Sequence, residues 1–366
     1  MSRFRTPHAA SLPSTVPFTG PEALERRSGI PFRARLGANE SLFGPSPAAV
    51  LAMQSASADS WMYGDPENHD LKQALATHHG VTPAHIAVGP GIDGLLGLIC
   101  RLTISSGTPV VTSLGAYPTF NFHVAGYGGT LTRVPYFGDH EDPEALLAAT
   151  KATGARLLYF ANPDNPMGSH HLAPVVEEMV RQLPEETLLV LDEAYADLSP
   201  PGTVPSIPAD HPQVIRMRTF SKGYGLAGAR VGYAITHPDL ALAFDKVRDH
   251  FGMTRVSQAG ALAALSDQDW LAQVQAKTLN ARDRLSAIAR ANGLRPLPSA
   301  TNFVTIDCGR DGDFARKVLV AMGARGVFIR MPGVAPLDRC IRLSLGDDQA
   351  LDIVEETLPQ SLKAAG

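Results

Sequence analysis

The chain has 366 residues, an apolar fraction of 44% and a formal net charge of −4, which suits roughly two globular domains. No basic block invites nucleic acid. No apolar run reaches the roughly 18 residues of a membrane span, and no apolar leader opens the chain. Cys100, Cys308 and Cys340 stand too far apart for a disulfide framework or a zinc site. A cytoplasmic protein with reduced core thiols, engaging neither membrane nor nucleic acid and holding no metal, is expected.

Residues 1–36, rich in Pro, Ser and Arg, show no sustained period and read as an N-terminal arm that needs a partner surface to be ordered. From 37 to 247 short apolar runs alternate with helical patterns. Gly89-Pro90-Gly91-Ile92-Asp93-Gly94 introduces an apolar helical run at 95–102. Strands are predicted at 156–160, 187–191 and 214–218. Between the first two, Leu172, Val175, Val176, Met179, Val180 and Leu183 form one helical stripe. This alternation predicts an α/β fold, a mainly parallel sheet covered by helices on both faces. From 248 to 366 the pattern changes to a long helix at 258–292, strands at 302–306, 326–330 and 340–345, and a helix near 314–322. That predicts a smaller α+β domain, completed by part of the arm.

In open parallel sheets, ligands bind beyond the carboxyl ends of the strands. Three strand ends carry Asn162-Pro163-Asp164-Asn165-Pro166-Met167-Gly168, Asp192-Glu193-Ala194-Tyr195 and Thr219-Phe220-Ser221-Lys222. A lysine in a Gly-rich turn is by itself usually solvated, a strand-end Asp is often a helix cap, and Asn-Pro marks turns. Together they describe a site for pyridoxal 5'-phosphate. Lys222 offers an amine for a Schiff base, and Asp192 a carboxylate for a protonated pyridine nitrogen. Asn165 and Tyr195 offer donors for the ring oxygen. Thr219, Ser221 and Arg230 surround a phosphate from one side, and Gly91, Ile92 and Asp93, opening a helix, from the other. Gly223 to Gly228 also fits a dinucleotide pattern, but the following residues read as a strand where that fingerprint needs a helix.

These motifs resemble the fold-type I, class I/II PLP-dependent aminotransferases, most closely the histidinol-phosphate aminotransferase branch. The likeness runs from about residue 37 to 346. It implies a large domain with a seven-stranded-type sheet, a smaller C-terminal domain, and a homodimer with shared active sites. It implies an amino donor and a 2-oxo acid acceptor as small-molecule substrates. In it, Lys222 carries the cofactor and shuttles the proton, and Asp192 and Tyr195 complete the catalytic set. Tyr117 stacks on the ring and Tyr63 reaches the phosphate in the neighbouring subunit. Asn39, Arg330 and Arg342 face the substrate. Departures from the family pattern are Met167, Ser41-Leu42, Gly64 and Gly115-Ala116, several of them expected at the substrate entrance. A PLP-dependent decarboxylase of a phosphorylated amino acid would place nearly the same atoms around the cofactor. A non-catalytic PLP-binding regulator is disfavoured by the intact Lys222 and Asp192 and by the lack of an appended DNA-binding domain.

Overall fold

A computed structural model describes residues 4–12 and 18–366. In chain order the elements begin with α1 (Pro7–Ser11), α2 (Pro21–Ser28), β1 (Ala34–Arg35), α3 (Pro47–Ser57) and α4 (His69–His79). They continue with β2 (Ile86–Gly89), α5 (Gly91–Thr103), β3 (Pro109–Ser113), α6 (Pro118–Gly126), β4 (Thr130–Val134) and α7 (Pro143–Thr153). Next come β5 (Leu157–Ala161), α8 (Ala173–Arg181), β6 (Leu188–Asp192), β7 (Val214–Thr219), β8 (Gly232–Thr236) and α9 (Pro238–Val247). The remainder is α10 (Arg255–Ser266), α11 (Gln268–Ala291), β9 (Arg295–Pro296), β10 (Phe303–Asp307), α12 (Gly312–Ala324), β11 (Val327–Phe328), β12 (Cys340–Ser344) and α13 (Asp348–Ala365).

Seven strands form one sheet in the order β2-β8-β7-β6-β5-β3-β4, with β8 alone running against its neighbours. Every residue of β5 and β8 is buried. Such strands read as continuous apolar runs because helices cover both faces. Local chemistry starts the helices where they start. Proline occupies the first turn of α3, α6, α7 and α9, where its missing N–H leaves no helical bond unmade. Ser46, Asp142 and Thr254 accept backbone N–H groups as caps of α3, α7 and α10.

A second apolar core gathers around the antiparallel β9, β10 and β12 and takes in Ala34 and Leu36. The latter two lie in and beside β1, which pairs in parallel with β11. Helix α11 spans both cores: Leu271 packs with the large-sheet cluster, and Ala281 and Leu285 with the second.

Several expectations need correction. The single helix at 258–292 is two, α10 and α11, because Asp267 leaves helical geometry (φ −102°, ψ 69°) to cap Trp270. The arm is not irregular throughout. Pro21 opens α2 and Gly29, at φ +71°, closes it, while the part at 13–17 lies outside the described residues. The stripe on α8 is narrower than its spacing suggests: Val176, Met179 and Val180 are buried, but Leu172 and Val175 are exposed.

Candidate active site

The carboxyl edge of the large sheet collects the predicted residues. Asp192 ends β6, Asn165 follows β5, Thr219 to Lys222 follow β7, and Tyr117 caps α6 beyond β3. Gly91 opens α5 after β2. All are delivered by connections from one edge, where side chains from separate strands converge.

Lys222 is half-buried, and its Nζ donates to the Asn39 carbonyl at 2.8 Å while lying 5.6 Å from the Tyr195 ring centroid. Burial first, and the nearby Arg342 cation second, bring its amine from 10.5 down to about 8. The Asn39 carbonyl also accepts from Asn302 Nδ2 at 3.0 Å, and Asn39 Nδ2 donates to the Tyr195 hydroxyl at 3.0 Å. Asn39 adopts φ +55°, the left-handed conformation a non-glycine residue rarely takes. This turns its carbonyl toward the lysine and its amide toward the tyrosine. Burial pushes the Tyr195 hydroxyl well above its usual range, so it stays protonated.

Asp192 is 6% exposed and makes no ion pair among the described residues. Burial raises its carboxyl from 3.8 to about 6. The Tyr159 hydroxyl donates to Oδ2 at 2.6 Å and the Ala194 N–H to Oδ1 at 3.0 Å, both holding that rise back. The adjacent Glu193 is the opposite case. It is buried between Arg216 and Arg218, each with a nitrogen 2.9 Å from a carboxylate oxygen, and it is kept ionised by them.

On the far side of Lys222, Thr219 Oγ1 donates to Ser221 Oγ at 2.9 Å, and Arg230 reaches the same oxygen at 3.5 Å. Arg230 stands at φ +56°, a strained conformation that functional sites retain. Gly91 faces it at φ +78°, and a Cβ there would lie 2.3 Å from Arg230 Nη2. The helix N-terminus, two hydroxyls and a guanidinium thus line one cradle, with Ile92 buried beneath. Asp93 accepts from the Tyr117 hydroxyl at 2.8 Å.

Arg342, on β12, donates to the Asn165 side-chain oxygen and to the Gly37 carbonyl, the latter at 3.2 Å. Its guanidinium carbon lies 5.1 Å from the Phe303 ring centroid, and its buried Nε has no hydrogen-bond partner among the described residues. Burial lowers its pKa to about 10. Arg330 stands farther out, donating to the Thr19 carbonyl at 2.7 Å beside the Phe18 ring, which in turn meets Tyr117 at 5.9 Å.

Tyr63 is not gathered with the others. It is 74% exposed, its ring lying against Phe251 at 4.5 Å. Met167 does not line an entrance either, being fully buried against Leu297, Leu337 and Cys340. His79 lies on α4, bonds the Tyr233 hydroxyl at 2.9 Å, and is driven to about 3 chiefly by burial. Among the described residues no cluster of His, Cys, Asp and Glu is grouped to hold a metal. Sequence reasoning missed Tyr159 and Asn302, neither of which carries a motif of its own.

Known proteins share this fold and much of this sequence. The crystal structure of histidinol-phosphate aminotransferase from Sinorhizobium meliloti, in complex with pyridoxal-5'-phosphate, superposes with a TM-score of 0.96 at 56% identity, covering 100% of this chain and 99% of that one. Histidinol-phosphate aminotransferases from Anaeromyxobacter sp. (34% identical, 93% of this chain and 94% of the relative) and Moorella thermoacetica (32%, 92% and 87%) align along most of their lengths. The profile of the family described as aminotransferase class I and II matches residues 34–358. With that profile matching most of the chain and such relatives aligned over nearly its whole length, this protein belongs to the class I and II aminotransferases.

Proposed function

We propose that the chain is a pyridoxal-phosphate-dependent aminotransferase that takes the amino group from histidinol phosphate and passes it to a 2-oxo acid. The observation that carries this reading is the pairing of two desolvated groups at adjacent strand ends. One is an amine whose basicity is lowered to about 8 and the other a carboxylate raised to about 6 with no ion pair among the described residues. Such a pair fits a ligand with an aldehyde at one position and a basic ring nitrogen at another. The cradle of Gly91, Thr219, Ser221 and Arg230 fits its phosphate, since a Cβ at Gly91 would fill the space in front of the guanidinium.

Bound there, pyridoxal phosphate supplies an electron sink for the carbon that bears the amino group. Lys222 Nζ would hold the aldehyde carbon and, once released, take the proton from the substrate carbon. Its lowered pKa leaves a useful fraction of free base near neutral pH. Asp192 would keep the ring nitrogen protonated, and Tyr159 would orient that carboxylate. Tyr195 and Asn165 would donate to the ring oxygen, and Tyr117 would cover the ring. Arg342 would receive the anionic end of each substrate, phosphate or carboxylate, with Arg330 and Asn39 beside it. The relatives named histidinol-phosphate aminotransferase support the phosphate-bearing donor.

The same reading takes 37–247 as the cofactor-binding domain and 248–366 as the smaller one. It takes the assembly as a homodimer in which the exposed Tyr63 reaches the neighbouring site, and the enzyme as cytoplasmic. The test is to load the protein with pyridoxal phosphate and add histidinol phosphate alone. Conversion of the visible absorption to that of the pyridoxamine form is expected. No conversion with histidinol phosphate, when glutamate does convert it, would overturn the donor assignment.

A further inference from the structure

Beneath the loop that carries Asn165, two carboxyl groups are buried together. Glu141 and Asp164 are each 2% exposed, and neither forms an ion pair among the described residues. Glu141 Oε2 accepts from Ser113 Oγ at 2.8 Å, and its Oε1 lies 3.4 Å from the Ala161 N–H. Asp164 Oδ1 accepts from the Tyr136 hydroxyl at 2.8 Å, and its Oδ2 from the Met167 N–H at 3.0 Å. The two side chains also lie within hydrogen-bonding reach of each other. A carboxylate can only accept, so a bond between two carboxyls requires a proton on one of them. Two like charges at contact in a dry site cannot both persist.

Resting on the aminotransferase reading, we propose that Glu141 holds one proton and donates it to Asp164, and that the pair, with a single negative charge, positions Asn165 and Arg342 for the substrate's anionic group. The remaining charge sits on Asp164, one residue from Asn165, and favours the Arg342 cation. Asp164 also closes the loop locally. Its N–H donates to the Ser169 carbonyl at 2.8 Å, and its carbonyl accepts from Gly168 at 3.2 Å. Burial, followed by the charge of Asp164, raises Glu141 well above the ordinary carboxyl range. The other titratable groups facing the pair are Tyr136, Tyr159, Tyr195 and Arg342, while His171 meets the Glu141 carbonyl through Nε2 at 2.8 Å. Neither carboxyl touches the positions assigned to cofactor or substrate, so both are positioning residues.

The experiment has two readouts. Infrared spectroscopy of the wild-type protein near neutral pH should show the C=O stretch of a protonated carboxylic acid, which Glu141→Gln removes. Kinetics of the loaded enzyme should show Glu141→Gln, whose amide still donates to Asp164, keeping KM for the donor within about twofold. Glu141→Ala and Asp164→Asn should each raise KM about tenfold, as expected for a lost hydrogen bond to a buried charge, with a smaller change in kcat. Absence of the infrared band in the wild type, its survival in Glu141→Gln, or equal damage by Gln and Ala at position 141 would each overturn the proposal. The band is read without turnover. A protein that shows it but transaminates nothing would therefore sink the proposed function and leave the shared proton standing.

Discussion

Replacing Asp192 by asparagine should stabilise the cofactor-free protein while disabling it. Burial lifts this carboxyl from 3.8 to about 6, and each pKa unit is worth about 1.4 kcal/mol. An ionised Asp192 therefore destabilises the fold by about 3 kcal/mol at neutral pH. The native state binds more protons than the unfolded chain between 3.8 and about 6, so this contribution to stability falls as pH rises through that window. Asparagine removes the charge and can still accept from Tyr159, but its amide nitrogen cannot accept the Ala194 N–H that Oδ1 now takes. That loss costs about 1 kcal/mol. The variant should thus be more stable than its parent by about 2 kcal/mol at neutral pH, and the advantage should vanish below the ordinary carboxyl value. Urea unfolding of both cofactor-free proteins across this range measures the difference directly. The loaded variant should lose at least about a hundredfold in transamination, the usual scale for removing one preorganised charge. A variant equally or less stable at neutral pH, or a difference that does not vary with pH, would refute the reasoning.

Lys222 should react with an amine-directed reagent in the cofactor-free protein with a midpoint near its lowered value of about 8, the free base growing as pH rises through it. A midpoint at the ordinary lysine value would contradict the buried setting. Lys222→Ala should give neither turnover nor the visible absorption that follows addition of pyridoxal phosphate. Gly91→Ala would place a Cβ 2.3 Å from Arg230 Nη2 at a φ of +78°. Its Kd for the cofactor, followed by absorbance titration, should rise about tenfold or more through strain alone, and an unchanged Kd would remove the phosphate from that cradle.

Much of this architecture is legible in the sequence because both faces of the sheet are covered. Leu157 to Ala161 and Leu188 to Leu191 are apolar without alternation, and a polar residue closing such a run lies at the ligand edge. Asp192, Asn165 and Lys222 stand out for that reason. Tyr159 does not, since a tyrosine inside an apolar strand looks like core until its hydroxyl is seen 2.6 Å from Asp192. Asn302 and Ser344 are equally silent, holding Asn39 from more than 250 positions away in the chain. The break at Asp267 escaped because apolar spacing continues across it, and only the backbone angles show the cap.

The reversed direction of β8 has one further effect. Because β7 leaves and β8 returns on the same side of the sheet, Thr219 pairs with Gly232, and the connection between them starts and finishes at the ligand edge. Lys222 and Arg230 are therefore two points on one tether rather than gifts of separate crossovers. Their separation is set by the turns inside that tether, so a rigid shift of neighbouring helices moves amine and guanidinium together. Lengthening or shortening residues 223–229 would put them out of step with each other.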